Sequence, residues 1–380
     1  MLTSLEPTTL PSGDTVPLSG GMAHRFRPLL DQVVQSIDEG ADLGLGLSVI
    51  IDGEPVVDLR AGWRDRKKAD AFDDTLVCVY SCGKAILGTL IMVAVEKGQL
   101  DYDTPVATYW PEFAAHGKEA ITLADALSHQ GGLAAFTEEI DPALWLDWDG
   151  LCAALADMAP LWPPGTDQGY HPQTVGYIGG EVLRRVTGKT VGEHLRALGL
   201  DVHCGVGEAL RPRTGPMMKP PAAPDLGDLT PLKGAAFLSK WSSAAGVSRE
   251  AWAAAEIPAS NMHATAHGLA TIMQAYTTER LGGDMTISEH VRATAMAERT
   301  CREDLVLPFT LSWGTGVMRN REGQLGPSAT AIGHYGFGGA CVLADPAHRL
   351  SFAFVPNKMS PALVADPRVT GLLETLYDLL

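Results

Sequence analysis

Ser81 and Lys84 are the residues of this 380-residue chain whose types and spacing speak most directly of chemistry. Three positions apart at a predicted helix start, their side chains project from one face and can touch. A serine hydroxyl is a weak nucleophile at neutral pH. A neighbouring lysine amine stripped of water has a lowered pKa and can take or relay the serine proton. The competing reading of the same pattern is a helix-capping serine beside a solvated lysine. The surrounding text, VCVYSCGKAILGTLIMVAV, is nearly all apolar, so the lysine is placed among core residues, where a charge needs a reason. S-x-x-K is short and arises by chance, so it gains weight only with partners.

Other constellations offer less. His263 and His267 stand four apart in NMHATAHGLATIM, but no H-E-x-x-H glutamate and no third ligand accompany them, so no metal is expected. The absence of G-x-S-x-G argues against an α/β-hydrolase nucleophile elbow. GFGG at 336–339 lacks the strand, G-x-G-x-x-G and helix context of a dinucleotide site, and no cofactor is expected. The six cysteines have no CxxC pairing and read as reduced thiols; Cys78 and Cys82, which bracket the serine, read as packing residues.

The elements that must hold these residues are legible in outline. The run 44–59 reads as two strands joined at Asp52-Gly53, a strong hairpin signal. Apolar residues recur at helical spacing through Ile86, Leu90, Val93 and Ala94, and Gly98 suits the end of that helix. The stretch 118–200 is mostly helical with Pro/Gly breaks, including a helix closed by Gly188. The Pro-rich segment 211–234 is a surface excursion that lines a site, sets substrate size or forms a subunit contact, as in a homodimer. Short β-rich runs follow at 311–318, 333–346 and 348–359, and an amphipathic helix within 363–380 closes the chain. The expected architecture is an α/β sheet assembled from both ends of the chain with a helical lobe between them.

A formal net charge of −16 repels phosphate backbones and anionic lipid surfaces, so neither nucleic acid nor a membrane is an expected partner. No apolar run reaches membrane-spanning length. The N-terminal text lacks a basic region followed by an apolar one, and a cytoplasmic protein is expected.

Four motifs together make a specific resemblance: Ser81-Cys82-Gly83-Lys84, LSHQGGL at 127–133, Tyr170-His171-Pro172 followed by GYIGGEVLRRVTG, and Gly333-His334-Tyr335-Gly336-Phe337-Gly338-Gly339. In kind, order and separation they resemble the serine β-lactamase-related family, with separations similar to class C enzymes, and most resemble the family VIII carboxylesterases. The resemblance implies a β-lactamase/transpeptidase-like fold, a central antiparallel sheet flanked by helices plus a mostly helical lobe. It implies an N-terminal extension over 1–20 and a catalytic domain over 21–380, with the sheet part at 21–80 and 265–380 and the helical part at 81–264. Carried over by residue, it makes Ser81 the nucleophile, Lys84 its proton partner, and Tyr170 the general base that later protonates the leaving group. The backbone N–H groups of Ser81 and Phe337 form the implied oxyanion hole, and His334, Tyr335, Gly336 and Gly338 the implied substrate-binding strand. Trp162, Trp313, Tyr335 and Phe337 are candidate walls of an acyl pocket.

Two departures bear on the substrate. Where β-lactamases carry Tyr-x-Asn this chain has Pro172, whose side chain makes no hydrogen bond. Where they carry Lys-Thr-Gly it has His334-Tyr335-Gly336, which removes the ammonium that meets the antibiotic carboxylate. Both losses favour a small-molecule, short-chain carboxylic ester hydrolysed through an acyl-Ser81 intermediate. The rivals are an amide-cleaving relative, a transesterase, and a catalytically silent binding protein on the same fold.

Overall fold

The computed structural model describes residues 2–278 and 286–380. Its centre is a ten-stranded sheet, entirely antiparallel. The N-terminal part of the chain supplies β1 (Thr3–Ser4), β2 (Leu18–Met22), β3 (Gly44–Ile51) and β4 (Glu54–Gly62). The C-terminal part supplies β5 (Thr300–Glu303), β6 (Thr310–Trp313), β7 (Met318–Arg319), β8 (Ile332–Tyr335), β9 (Cys341–Asp345) and β10 (Leu350–Pro356). The spatial order is β1-β2-β4-β3-β10-β9-β8-β7-β6-β5, so β3 of the first group meets β10 of the second at the centre. The predicted hairpin is β3–β4, with Asp52 at φ +54° and Gly53 at φ +83°, the two left-handed residues that a type I′ turn requires.

Side chains alternate across the central strands and build two cores. On one face Leu47, Val49, Leu343, Phe352 and Phe354 pack under α1 (Arg27–Asp38) and the C-terminal helix. On the other, Val342, Ala344, Ala353 and Val355 join α2 (Cys82–Glu96), α3 (Thr174–Thr187) and α4 (Ala266–Met273). Apolar residues surround α2, and twelve of its fifteen residues are buried. Gly98 at φ +66° and Gly188 at φ +71° end α2 and α3 as their positions in sequence predict. The closing helix, α5 (Pro367–Asp378), begins later than the apolar pattern suggests, because Asp366 caps it by accepting from the Arg368 N–H. Among the described residues no helix is long and apolar enough to cross a membrane.

A second, three-stranded sheet matters for the site. Val77–Cys78 pairs with His263–Ala264, which pairs in turn with Val202–His203. This clamps the segment leading into α2 against the rest of the helical region.

Candidate active site

Ser81 sits in the turn between Val77–Cys78 and α2, at the helix's N-cap position. The turn is tight: Tyr80 lies at φ +45°, a left-handed conformation costly for a residue with a side chain. Val79 N–H donates to Met262 O, and the packing around the turn leaves room for no other residue at Gly83, whose Cβ would stand 2.2 Å from Pro258 O. Gly176, at the start of α3, likewise abuts Ala259. Two helix starts therefore converge on the 258–259 backbone, which supplies one carbonyl partner of Lys84, Ala259 O; the other, Pro172 O, comes from just before α3.

Lys84 Nζ lies 3.0 Å from Ser81 Oγ, and it donates to Pro172 O at 2.7 Å and to Ala259 O at 3.0 Å. The side chain is buried, with no carboxylate among the described residues beside it, and burial drives its pKa well below the ordinary lysine value. The expected contact between serine and lysine is therefore present, and the lysine favours its neutral, basic form. Pro172, read in sequence as the loss of a polar side chain, contributes through its carbonyl instead.

Tyr170 Oη donates to Ser81 Oγ at 2.7 Å. Its ring stacks on Trp313, lies against His129 and His334, and has the Lys84 Nζ 4.8 Å from its centroid. Burial raises its pKa above the ordinary phenol value, outweighing the opposing hydrogen bond to Ser81, so the phenol holds its proton. The backbone around it is pinned: Tyr170 N–H donates to Asp304 Oδ1, and His171 N–H donates to His129 Nδ1. The His171 ring donates from Nδ1 to Gly169 O and accepts at Nε2 from the Leu133 N–H, which fixes it as neutral; burial puts its pKa at about 4.

His334, on β8, lies beside Tyr170 and Trp313. Its Nδ1 faces Tyr335 O at 2.7 Å, and since a carbonyl only accepts, Nδ1 carries the hydrogen. Burial lowers its pKa to about 3, so Nε2 is an acceptor with no partner among the described residues. This neutral imidazole cannot replace the ammonium of a Lys-Thr-Gly strand.

Gly336 serves packing more than substrate. Its Cβ would stand 2.2 Å from Val79 O, so a bare glycine lets the end of β8 lie against the nucleophile's turn. Gly338, at φ +96°, faces Met359 and does not line the cavity. Tyr335 and Phe337 do line it, and the Phe337 ring packs edge-on against Tyr80. Among the described residues the backbone N–H groups of Ser81 and Phe337 donate to no acceptor in the chain. They remain available to a substrate oxygen.

The cavity over Ser81 measures about 540 Å³. Leu226, Phe237, Leu238, Leu311, Met318 and Val364 give it apolar walls, and no Lys, Arg, Asp or Glu among the described residues lines it. The Pro-rich excursion reaches it through Pro224 and Leu226, and the wall continues through a short π-helix, Gly234–Leu238. Of the four aromatic candidates, Trp313, Tyr335 and Phe337 line the cavity, whereas Trp162 packs edge-on against His171 behind it. His263 and His267 lie elsewhere, the first bonded to Asn261 O, and no group of three metal-ligating side chains occurs among the described residues. Cys78 and Cys82 are free buried thiols; burial pushes Cys78 up to about 12 and Cys82 higher.

Sequence reasoning did not identify Ala259, His129 and Asp304 as parts of the site. His129 carried a signal, since it lies within the quoted LSHQGGL motif and takes φ +67°. Asp304 and the Ala259 carbonyl reach the site only through tertiary packing and had none.

The beta-lactamase family model matches residues 30–375. The chain is 30% identical over 356 residues to the Esterase/beta-lactamase LipL of Mycobacterium tuberculosis, covering 85% of this chain and 79% of that protein. Among solved structures, it is similar to a penicillin-binding protein homologue from Caulobacter crescentus, with a TM-score of 0.92, 44% identity, and 96% and 100% of the two chains covered. It is similar also to a family VIII carboxylesterase, with a TM-score of 0.88, 32% identity, and 96% and 100% covered. With the sheet, the Ser81–Lys84–Tyr170 cluster and a match spanning nearly the whole chain, this protein belongs to the beta-lactamase family of serine hydrolases.

Proposed function

We propose that this protein is a carboxylesterase for uncharged, apolar esters, acting through an acyl-Ser81 intermediate. The observation that carries the reading is the cavity over Ser81: its walls are mainly apolar and, among the described residues, no cationic side chain lines it to meet a substrate carboxylate. The similarity to a family VIII carboxylesterase and to an esterase/beta-lactamase supports the ester class. A volume of about 540 Å³ also admits acyl groups beyond the short-chain range expected from sequence.

The proton inventory supports an order of events. A neutral Lys84 has two N–H groups, and two carbonyls, Pro172 O and Ala259 O, receive them. Its lone pair is then left for the Ser81 hydroxyl hydrogen, while Ser81 Oγ accepts from Tyr170. Lys84 takes the proton as Oγ attacks the ester carbonyl, and the N–H groups of Ser81 and Phe337 receive the developing oxyanion. Tyr170 gives its proton to the departing alkoxide, and Lys84, now an ammonium, returns a proton to the phenolate. Water enters by the reverse sequence and releases the acid. In this order Lys84 is the base and Tyr170 the acid of acylation, whereas the family resemblance gave Tyr170 the base's part; burial, which favours the neutral form of both, is the reason.

The test is steady-state turnover of p-nitrophenyl acetate, butyrate and octanoate and of nitrocefin by wild type and Ser81→Ala. The reading expects ester turnover that vanishes in the variant, with nitrocefin slow. Nitrocefin as the best substrate would reverse the ester assignment.

A further inference from the structure

The turn that carries Phe337 is built from residues that rotate easily. Gly338 and Gly339 lie at φ +96° and φ +104°, and among the described residues the turn's own bonds are only Gly336 N–H to Ala340 O and Gly339 N–H to Gly336 O. An oxyanion donor is effective only if its N–H is aimed before the charge develops. Something outside the turn must therefore fix its peptide planes.

A largely buried guanidinium does this. Arg368 Nη2 donates to Gly338 O at 2.9 Å, and Ser360 N–H reaches the same carbonyl at 3.1 Å. The guanidinium lies so close that a Cβ on Gly339 would stand 2.1 Å from Arg368 Nη2. All its donors are engaged: Nε and Nη2 form a fork on Asp366, while Nη1 donates to Asp42 Oδ1 at 2.7 Å and Lys358 O at 2.9 Å. Both carboxylates are buried and held by serines, Asp42 by Ser36 and Asp366 by Ser360. A planar fork with every hydrogen committed has one orientation, which a lysine could not reproduce. Arg368 also sits in the first turn of α5, so the turn is tied to the helix and, through Asp42, to the end of α1.

We infer that Arg368, locked between Asp42 and Asp366, is a positioning residue for the reaction: it holds the 336–339 turn so that the Phe337 N–H points at the substrate oxygen. The inference rests on the esterase reading above. Arg368 touches no substrate; it acts through the turn.

The test compares wild type, Arg368→Lys and Asp42→Asn on p-nitrophenyl butyrate and on its thiono counterpart, with C=S in place of C=O. Active sites are counted by fluorophosphonate labelling, and thermal midpoints are recorded in parallel. Expected for Arg368→Lys is a fall in kcat per labelled site of about tenfold or more, with KM within about twofold. The wild-type preference for the oxygen ester should shrink by about threefold or more, because sulfur is a poor acceptor and gains little from an aimed N–H. Asp42→Asn leaves the Asp366 fork intact and should show the same changes at about threefold in kcat; it carries the test if Arg368→Lys does not fold. Unchanged kcat per labelled site and unchanged oxygen-to-thiono preference, with lowered thermal midpoints only, would overturn the inference and leave the esterase reading standing. Absence of Ser81-dependent ester turnover in wild type would remove that reading and this inference with it.

Discussion

Replacing Tyr170 by phenylalanine removes one oxygen that donates to Ser81 Oγ at 2.7 Å and leaves the ring against Trp313, His129 and His334. The backbone bonds of Tyr170 to Asp304 and of His171 to His129 are untouched, so folding should lose only one hydrogen bond, about 1 kcal/mol. The effect on rate should be far larger and should depend on the leaving group. Losing a positioned general acid costs about 10²–10⁴-fold, or roughly 3–5 kcal/mol of barrier. A p-nitrophenolate departs without a proton, whereas an ethoxide needs one at the moment of bond cleavage. For Tyr170→Phe, kcat/KM, which reports acylation, should therefore fall by about 10³ on ethyl butyrate but only about tenfold on p-nitrophenyl butyrate. The assay follows acid release by pH-stat and phenolate release by absorbance, per labelled active site. Equal losses on the two esters, or an ethyl ester rate within threefold of wild type, would refute the assignment of Tyr170 as the acid.

Four further outcomes follow from the same geometry. Lys84→Met should abolish acylation by at least about 10³-fold, and because burial holds Lys84 well below the ordinary lysine value, wild-type kcat/KM should stay high through neutral pH and fall on the acid side as the amine protonates. His171 and His334 are held at about 4 and about 3, so between those values and the unfolded value near 6.5 the unfolded chain binds more protons. Each should remove about 1.4 kcal/mol of stability per unit of pH lowered through that window, measured by denaturant melts at pH 7, 5.5 and 4.5. Gly336→Ala, whose Cβ meets Val79 O, should cost about 1–3 kcal/mol in the same melts and lower turnover. Leu226→Trp should fill the cavity and depress octanoate turnover relative to acetate in a chain-length series.

What could be read from sequence was what local geometry determines. The hairpin at Asp52-Gly53 and the ends of α2 and α3 at Gly98 and Gly188 each follow from a residue whose backbone preference acts within a turn. Ser81 and Lys84 were legible because three positions along a helix place two side chains together. Tyr170 and the 333–339 strand entered through family resemblance, since no periodicity brings residues so far apart into contact. The remaining site parts were invisible for a related reason. Ala259 and Pro172 act through carbonyls, which carry no residue signature, and Arg368, Asp42 and Asp366 meet only once α1, α5 and the 336–339 turn are packed. The tautomers of His171 and His334 likewise depend on carbonyl and N–H partners that only the folded chain presents.

The most direct measurement is the covalent state of Ser81 during turnover. Wild type is mixed with p-nitrophenyl butyrate, quenched in acid within the first turnover, digested and examined by mass spectrometry alongside Ser81→Ala. The account predicts one butyryl group on the peptide containing Ser81, absent from the variant and lost with time as acid is released. Ester turnover with no acyl group on Ser81, or with the acyl group on another side chain, would contradict it.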